Sequence, residues 1–253
     1  MIPRNRKLFI PYFPFGYPTL PTSIDVIEAL AKNGADVIEI GMSFSDPLAD
    51  GPVIQQATQT ALNNGATIAK TLEAVHILRK RGVNTPLVLM GYYNPLLAFG
   101  LDLFVRECHA GQIAGLIIPD LPIEEAEELR SCLGEIPLIQ MIAPTTPAER
   151  IAELAPAAGG FIYLVSITGI TGSGNSFSTA LPELISQIRQ HSKLPVCIGF
   201  GINNTQRAIE MAQLADGVIV GTHLVKAVGN STNPTETAAQ IAREFRAALD
   251  GKH

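Results

Sequence analysis

The chain contains no tryptophan, and aromatic residues make up only 6% of its 253 positions. Charge is sparse at 16%, and Lys+Arg 18 against Asp+Glu 23 leaves a formal net charge of −5. The basic footprint of a nucleic-acid-binding surface is therefore missing, although backbone dipoles can still hold a small anion locally. The three cysteines, Cys108, Cys132 and Cys197, are odd in number and far apart. They form neither a CxxC pair nor a zinc spacing, which excludes a disulfide scaffold and points to a reduced, cytoplasmic protein. No run approaches the roughly 20 apolar residues of a membrane span. The apolar stretch behind the basic segment Met1–Lys7 is broken by Pro11, Pro14, Gly16 and Pro18, unlike a secretory leader. Linkers and low-complexity segments are also lacking, so residues 1–253 are expected to form one domain. A hydrophobic share of 47% excludes disorder.

What the chain does have is a recurring unit: a helical pattern, a small-residue turn, then a short apolar strand ending in polar residues or glycine. Asn33-Gly34-Ala35-Asp36 leads into Val37–Gly41, Ile113-Ala114-Gly115 into Leu116–Asp120, Ala158-Gly159-Gly160 into Phe161–Ser166, and Leu214–Gly217 into Val218–Gly221. Further strands are predicted at Leu8–Phe13, Pro86–Gly91, Pro137–Met141 and Pro195–Gly199. Nearly continuous apolar runs are the mark of strands covered on both faces. Helices are predicted between them, the first capped by Ser23 and the next by Thr67. Others cover Leu101–Ala110, Ile123–Leu133, Pro147–Leu154, Leu181–His191, Thr205–Gln213 and Thr235–Leu249. Eight strand–helix units in this length fit a single (β/α)8 TIM barrel. The rival open sheet would want Gly-x-Gly-x-x-Gly after its first strand, where this chain reads Phe13-Pro14-Phe15-Gly16-Tyr17-Pro18.

A barrel carries its chemistry at the C-terminal ends of its strands. Glu39 lies inside the apolar run Val37–Ile40, where ionisation is costly and its pKa should rise. Such a carboxyl can serve as acid and base near neutral pH; the plainer alternative is a structural glutamate with a hidden partner. The long segment Met42–Gly65 carries Asp46 and Asp50, which either cap turns or supply a second carboxylate to the same cavity. Glycines cluster after strands 6, 7 and 8, in Ser166–Gly174, Gly199-Phe200-Gly201 and Gly221-Thr222-His223. Singly each reads as a tight turn. Together, with a short helix expected near Leu224, they suit a phosphate held by backbone N–H groups. His223 could touch that ligand or lie at the surface. Lys7, Lys32, Lys70, Lys80, Lys193 and Lys226 all fall outside strands, which argues against a Schiff-base lysine. His76, His109, His191, His223 and His253 are scattered and form no metal cage. Acid–base chemistry on a small phosphorylated molecule remains.

Gly34-Ala35-Asp36 through Glu39-Ile40-Gly41, followed by Phe44-Ser45-Asp46-Pro47-Leu48-Ala49-Asp50-Gly51-Pro52, closely resembles the signature of the tryptophan synthase alpha chain family. Tyr92-x-Asn94, Pro119-Asp120-Leu121-Pro122, Gly169–Gly172, Gly199–Ile202 and Val220-Gly221 match its later motifs in order, from Ile10 onward. The resemblance implies cleavage of indole-3-glycerol phosphate to indole and glyceraldehyde 3-phosphate, a retro-aldol reaction without cofactor or metal. It implies Glu39 as the acid–base group, Asp50 as the group on the indole N–H, Thr171 as a loop residue closing over Asp50, and Tyr163 as a support for Glu39. It further implies Gly172, Gly201, Gly221 and Thr222 as phosphate ligands. Tyr12, Ile54, Met90, Ile117, Phe200 and Ile219 would form the apolar indole slot. Indole would then pass to a pyridoxal-phosphate-dependent beta chain in an αββα assembly, with the loops around Asp46, 94–100, Pro122 and Gly169 facing the partner.

The chain departs from the family pattern in places. Met1–Lys7 stands where an opening helix usually covers the barrel bottom, Pro14-Phe15 where small residues are commoner, Tyr17 where aspartate is usual, and Ser43 where proline is usual. Ser173–Phe177 replaces the usual alanine and charged residue. These positions bear on partner coupling more than on chemistry. They keep open a stand-alone indole-releasing paralogue and a barrel retained only for assembly. Another phosphate-binding barrel enzyme would want an acid or lysine on strand 1, and Phe9–Phe13 offers neither.

Overall fold

A computed structural model describes residues 2–3, 5–165, 176–199 and 201–251. Strand β1 (Leu8–Pro14) is followed by helix α1 (Leu20–Lys32), β2 (Ile38–Gly41), α2 (Pro52–Asn63), α3 (Ile68–Lys80) and β3 (Leu87–Met90). Then come α4 (Tyr93–Phe99), α5 (Leu101–Ala110), β4 (Ile113–Ile117), a 3-10 turn (Ile123–Glu125), α6 (Glu127–Leu133) and β5 (Gln140–Ile142). The second half holds α7 (Ala148–Ala157), β6 (Ile162–Val165), α8 (Ser176–His191), β7 (Val196–Gly199), α9 (Thr205–Leu214), β8 (Gly217–Val220), α10 (Thr222–Gly229) and α11 (Pro234–Leu249). The 8-stranded sheet runs β4-β3-β2-β1-β8-β7-β6-β5, and every pair is parallel. Its two ends meet where Leu116 N–H donates to Pro137 O (2.9 Å) and Ile139 N–H donates to Leu116 O (2.8 Å). The (β/α)8 barrel expected from the repeat is the fold.

The strands are buried almost throughout because helices cover their outer face while side chains fill the barrel. Phe9 of β1 stacks outward on Phe245 of α11, with ring centroids 5.6 Å apart. Several boundaries differ from the sequence expectation: β5 starts at Gln140 instead of Pro137 and α8 at Ser176 instead of Leu181, and three further differences have a local cause. Helix α1 starts at Leu20 and is capped by Thr19, whose side chain accepts from Thr22 N–H (3.3 Å). Pro21 suits that first turn because its missing N–H would be unpaired there anyway. Ser23 is thus not the cap: its hydroxyl accepts from Gly16 N–H (2.9 Å) and donates to Leu20 O (2.7 Å). Strand β4 starts at Ile113 because pairing with Leu87 of β3 begins there, whereas local composition reads as a turn. The helix expected over Ile123–Leu133 is split into the 3-10 turn and α6. No helix among the described residues is long and apolar enough to cross a membrane.

A buried ion pair fastens β1 and β2 to the last helix. Asp36, 3% exposed, accepts from Phe9 N–H (2.8 Å) and from Arg246 Nη1 (2.7 Å), and Arg6 reaches its other oxygen. Arg246 also donates to Lys7 O (3.0 Å). Gly34 makes the approach possible, since at φ +111 a β-carbon there would lie 2.7 Å from Arg246 Cγ. Removing one partner of a buried pair costs roughly 3–5 kcal/mol. Arg246→Ala should fall at the lower end, about 3 kcal/mol, because Arg6 still holds Asp36. Urea unfolding of the two proteins measures it, and an unchanged midpoint would show the pair to be energetically idle.

Candidate active site

Parallel closure places every strand's C-terminal end on one rim, and the strand-borne candidates gather there. Tyr12 on β1 and Glu39 on β2 are register partners, so both side chains point the same way. Met90 pairs with Gly41 on one side and Ile117 on the other, and Ile219 pairs with Ile10. Ile54, from the first turn of α2, is 6% exposed and joins the same core. Ile117 and Ile219 are almost fully enclosed, at 0% and 2% exposed.

Glu39 is fully buried, and neither carboxylate oxygen has a hydrogen-bond partner. The hidden partner of the structural alternative is thus absent among the described residues. Burial first, and the charge of Asp50 second, push its pKa to about 8. Asp50 lies on the loop between β2 and α2. Burial raises it to about 6, against the pull of a hydrogen bond donated by the Tyr92 hydroxyl to its Oδ2 (3.2 Å). The Tyr92 oxygen accepts in turn from Ala49 N–H (2.9 Å), and its ring packs on Phe44 at 5.4 Å. Tyr92 thus ties the loop to the end of β3, and it was not among the residues assigned to the site from sequence. Its place directly after a strand-terminal glycine was the available signal. Asp46 is exposed and bonded by Ser45 Oγ (2.5 Å), so it is not the second carboxylate at Glu39.

Two tyrosines lean across strand-terminal glycines beside this pair. A β-carbon on Gly41 would lie 2.3 Å from the Tyr12 hydroxyl oxygen, and one on Gly199 would lie 2.4 Å from that of Tyr163. Gly199, assigned from sequence to the glycine cluster after strand 7, therefore seats the Tyr163 ring. Burial raises both phenols well above their ordinary pKa. The next contributions are Asp50 then Glu39 for Tyr12, and Glu39 then Asp50 for Tyr163, which places both rings within reach of both acids.

After β7, Gly201 adopts φ +73. After β8, Gly221 caps α10 and Thr222 is its first residue, two positions earlier than the helix start expected near Leu224. First-turn N–H groups of a helix lack intrahelical partners and favour an anion. His223 packs on Phe245 at 5.8 Å, in the outer helix layer. It is half-buried, and burial lowers its pKa. Thr171, Gly172, Phe200, the glycine run 166–174 and most of Ser173–Phe177 lie outside the described residues. At the opposite end of the strands is a cavity of about 670 Å³ lined by Arg6, Lys7, Arg189, Lys193 and Asp216. Most of its cations are already engaged: Arg6 with Asp36, Arg189 with Asp216 and Lys7 with Ala215 O.

A (β/α)8 barrel with a buried, unpartnered carboxyl on β2, and a second carboxyl on the loop that follows, falls in the class of barrel proteins whose rim can support acid–base chemistry. Comparison with known proteins specifies it. The family model described as tryptophan synthase alpha chain matches residues 2–251. The alpha chain of Chloroflexus aggregans is 47% identical over 223 residues, covering 87% of this chain and 84% of that protein. That of Roseiflexus castenholzii is 43% identical over 249 residues, covering 98% and 95%. Among solved structures, tryptophan synthase subunit alpha from Campylobacter jejuni superposes with TM-score 0.87 at 35% identity, covering 95% of this chain and 96% of that one. A Mycobacterium tuberculosis tryptophan synthase structure gives TM-score 0.87 at 38% identity, covering 97% and 93%. The chain belongs to the tryptophan synthase alpha chain family.

The ionisation of Glu39 predicts a pH-dependent stability. Its folded pKa, about 8, is above the ordinary value of 4.5, so the folded state holds a proton that the unfolded chain releases first. That contribution is complete below pH 4.5 and is lost as pH rises through 8. Glu39→Gln should therefore gain on the parent protein as pH rises from 5 to 8.5, measured as the difference in melting temperature. A constant difference would place an ionised carboxylate at Glu39. Tyr92→Phe removes the bond that holds the Asp50 pKa down. Its titration, followed by carboxyl NMR, should move above 6, and a downward shift would contradict the geometry.

Proposed function

We propose that Glu39 and Asp50 carry the family's reaction in this chain. As the alpha subunit of tryptophan synthase, it is a lyase that cleaves indole-3-glycerol phosphate to indole and glyceraldehyde 3-phosphate. The observation that supports these roles most is the partnerless Glu39 carboxyl, neutral near pH 7, beside an Asp50 that is mostly ionised there. Two acids whose surroundings separate their pKa values take different roles. Neutral Glu39 donates its proton to indole C3. Positive charge develops at the ring nitrogen, and the Asp50 carboxylate accepts the N–H hydrogen bond and stabilises it. The carboxylate left on Glu39 then takes the proton from the glycerol hydroxyl next to the ring. The carbon–carbon bond breaks, its electron pair returns to the indole ring, the aldehyde forms, and Glu39 regains its proton.

In this reading the apolar slot is Ile54, Met90, Ile117 and Ile219 with Phe200, and Tyr163 supports Glu39 from β6. The phosphate sits on N–H groups of Gly172, Gly201, Gly221 and Thr222, with Thr171 closing over Asp50. The chemistry needs no metal or cofactor in this chain. The chain works as one domain over 1–253, in the cytoplasm, where its free cysteines stay reduced. Its partner is a pyridoxal-phosphate-dependent beta chain in an αββα assembly, and closure of the loops couples the two sites.

The free-enzyme kcat/KM should follow a bell with limbs near pH 6 and 8, set by Asp50 and Glu39. Glu39→Gln should lose at least 10²-fold in kcat, the scale of a positioned proton donor, while keeping its affinity for substrate. Asp50→Asn should lose most of the rate and the acidic limb with it. Near-full activity of the Glu39 variant would overturn the assignment. Steady-state cleavage is measured with the chain alone and with a beta chain. Strong activation is expected, and fast turnover unchanged by the beta chain would instead mark a stand-alone lyase.

A further inference from the structure

Tyr12 occupies a place that the family resemblance treats as part of an apolar slot, yet it carries a hydroxyl. The residue is 92% buried, being 8% exposed, and its hydroxyl has no hydrogen-bond partner among the described residues. By contrast, the Tyr92 hydroxyl is spent on Asp50 and Ala49. The ring is also fixed at both ends. Its Cβ and Cδ1 would each lie 3.4 Å from a β-carbon on Gly221, and its hydroxyl oxygen covers Gly41. Tyr12 therefore spans the rim from the start of α10 on one side to β2 on the other, in register with Glu39.

That span matches the part of the substrate that lies between its phosphate and its indole ring. A phosphate at Gly221 and Thr222 and a reacting carbon at Glu39 leave the glycerol arm running along the Tyr12 ring. We propose that Tyr12 is a specificity-determining residue whose hydroxyl donates a hydrogen bond to a hydroxyl oxygen of that arm. This rests on the function proposed above. Because the Tyr12 hydroxyl makes no bond within the described residues, a hydroxylated phosphoester that supplies its partner is favoured over one without hydroxyls. Its raised pKa keeps the phenol protonated as a donor.

The test compares the full chain with Tyr12→Phe, which keeps the ring and removes only the hydroxyl. Calorimetry measures binding of glycerol 3-phosphate, inorganic phosphate and indole, and cleavage of indole-3-glycerol phosphate is followed in parallel. The expected result is a Kd for glycerol 3-phosphate about tenfold higher in the variant, the scale of one buried hydrogen bond. Inorganic phosphate and indole should bind as before. Equal glycerol 3-phosphate affinities in the two proteins would overturn the proposal. So would an equal loss for all three probes, which marks altered packing. Failure of the parent protein to cleave the substrate would overturn the function reading itself, and this proposal with it. An active parent with an indifferent Tyr12→Phe would remove this proposal alone.

Discussion

A carboxyl group sealed inside a barrel strand with no partner is an expensive arrangement unless it stays neutral. Glu39 meets that condition: burial and the nearby Asp50 charge both oppose its ionisation. The rest of the rim is organised around that constraint. Tyr12 and Tyr163 close over Gly41 and Gly199 on either side and add no positive charge. Asp50 stays more acidic because it is less enclosed and receives the Tyr92 hydrogen bond. One environment thus keeps a proton and its neighbour releases one, and the split follows from solvent access and a single donor.

The barrel makes this arrangement rigid. Strand β1 sits between β2 and β8, and the Asp36–Arg246 pair holds its start against α11. Through β1, the end that would hold phosphate and the end that holds Glu39 become neighbours, although Gly221 and Glu39 are far apart in the chain. The Phe9–Phe245 stack fixes the outer face of the same strand, so Tyr12 on its inner face has little freedom. The cation-lined cavity lies at the other end of the strands from these two acids.

Much of this was legible in the order of residues. The alternation of helical patterns with short apolar runs names a parallel α/β fold, and eight units close a barrel. Glu39 stands out because a carboxylate inside Val37–Ile40 contradicts its surroundings. Element starts were less legible: Ser23 is a good cap residue by type, yet Pro21 and Thr19 move the start of α1 upstream. Strand β4 begins at Ile113 because its partner β3 decides where pairing starts. His223 and Asp46 carried the right chemical groups for a site, and the fold directs one to the helix layer and leaves the other exposed.

By itself, then, the sequence determined the repeat, the barrel and the family and named the candidate acids, because periodicity, turn residues and motif spacing are local properties. The tertiary structure alone decided which acid lacks a partner, which tyrosine hydroxyl serves Asp50, and which glycines make room for a ring instead of facing an anion. Those outcomes depend on which side chains meet across neighbouring strands. In a parallel barrel, residues that share a rim come from distant units, so burial, pKa and hydrogen bonding are set by register and closure.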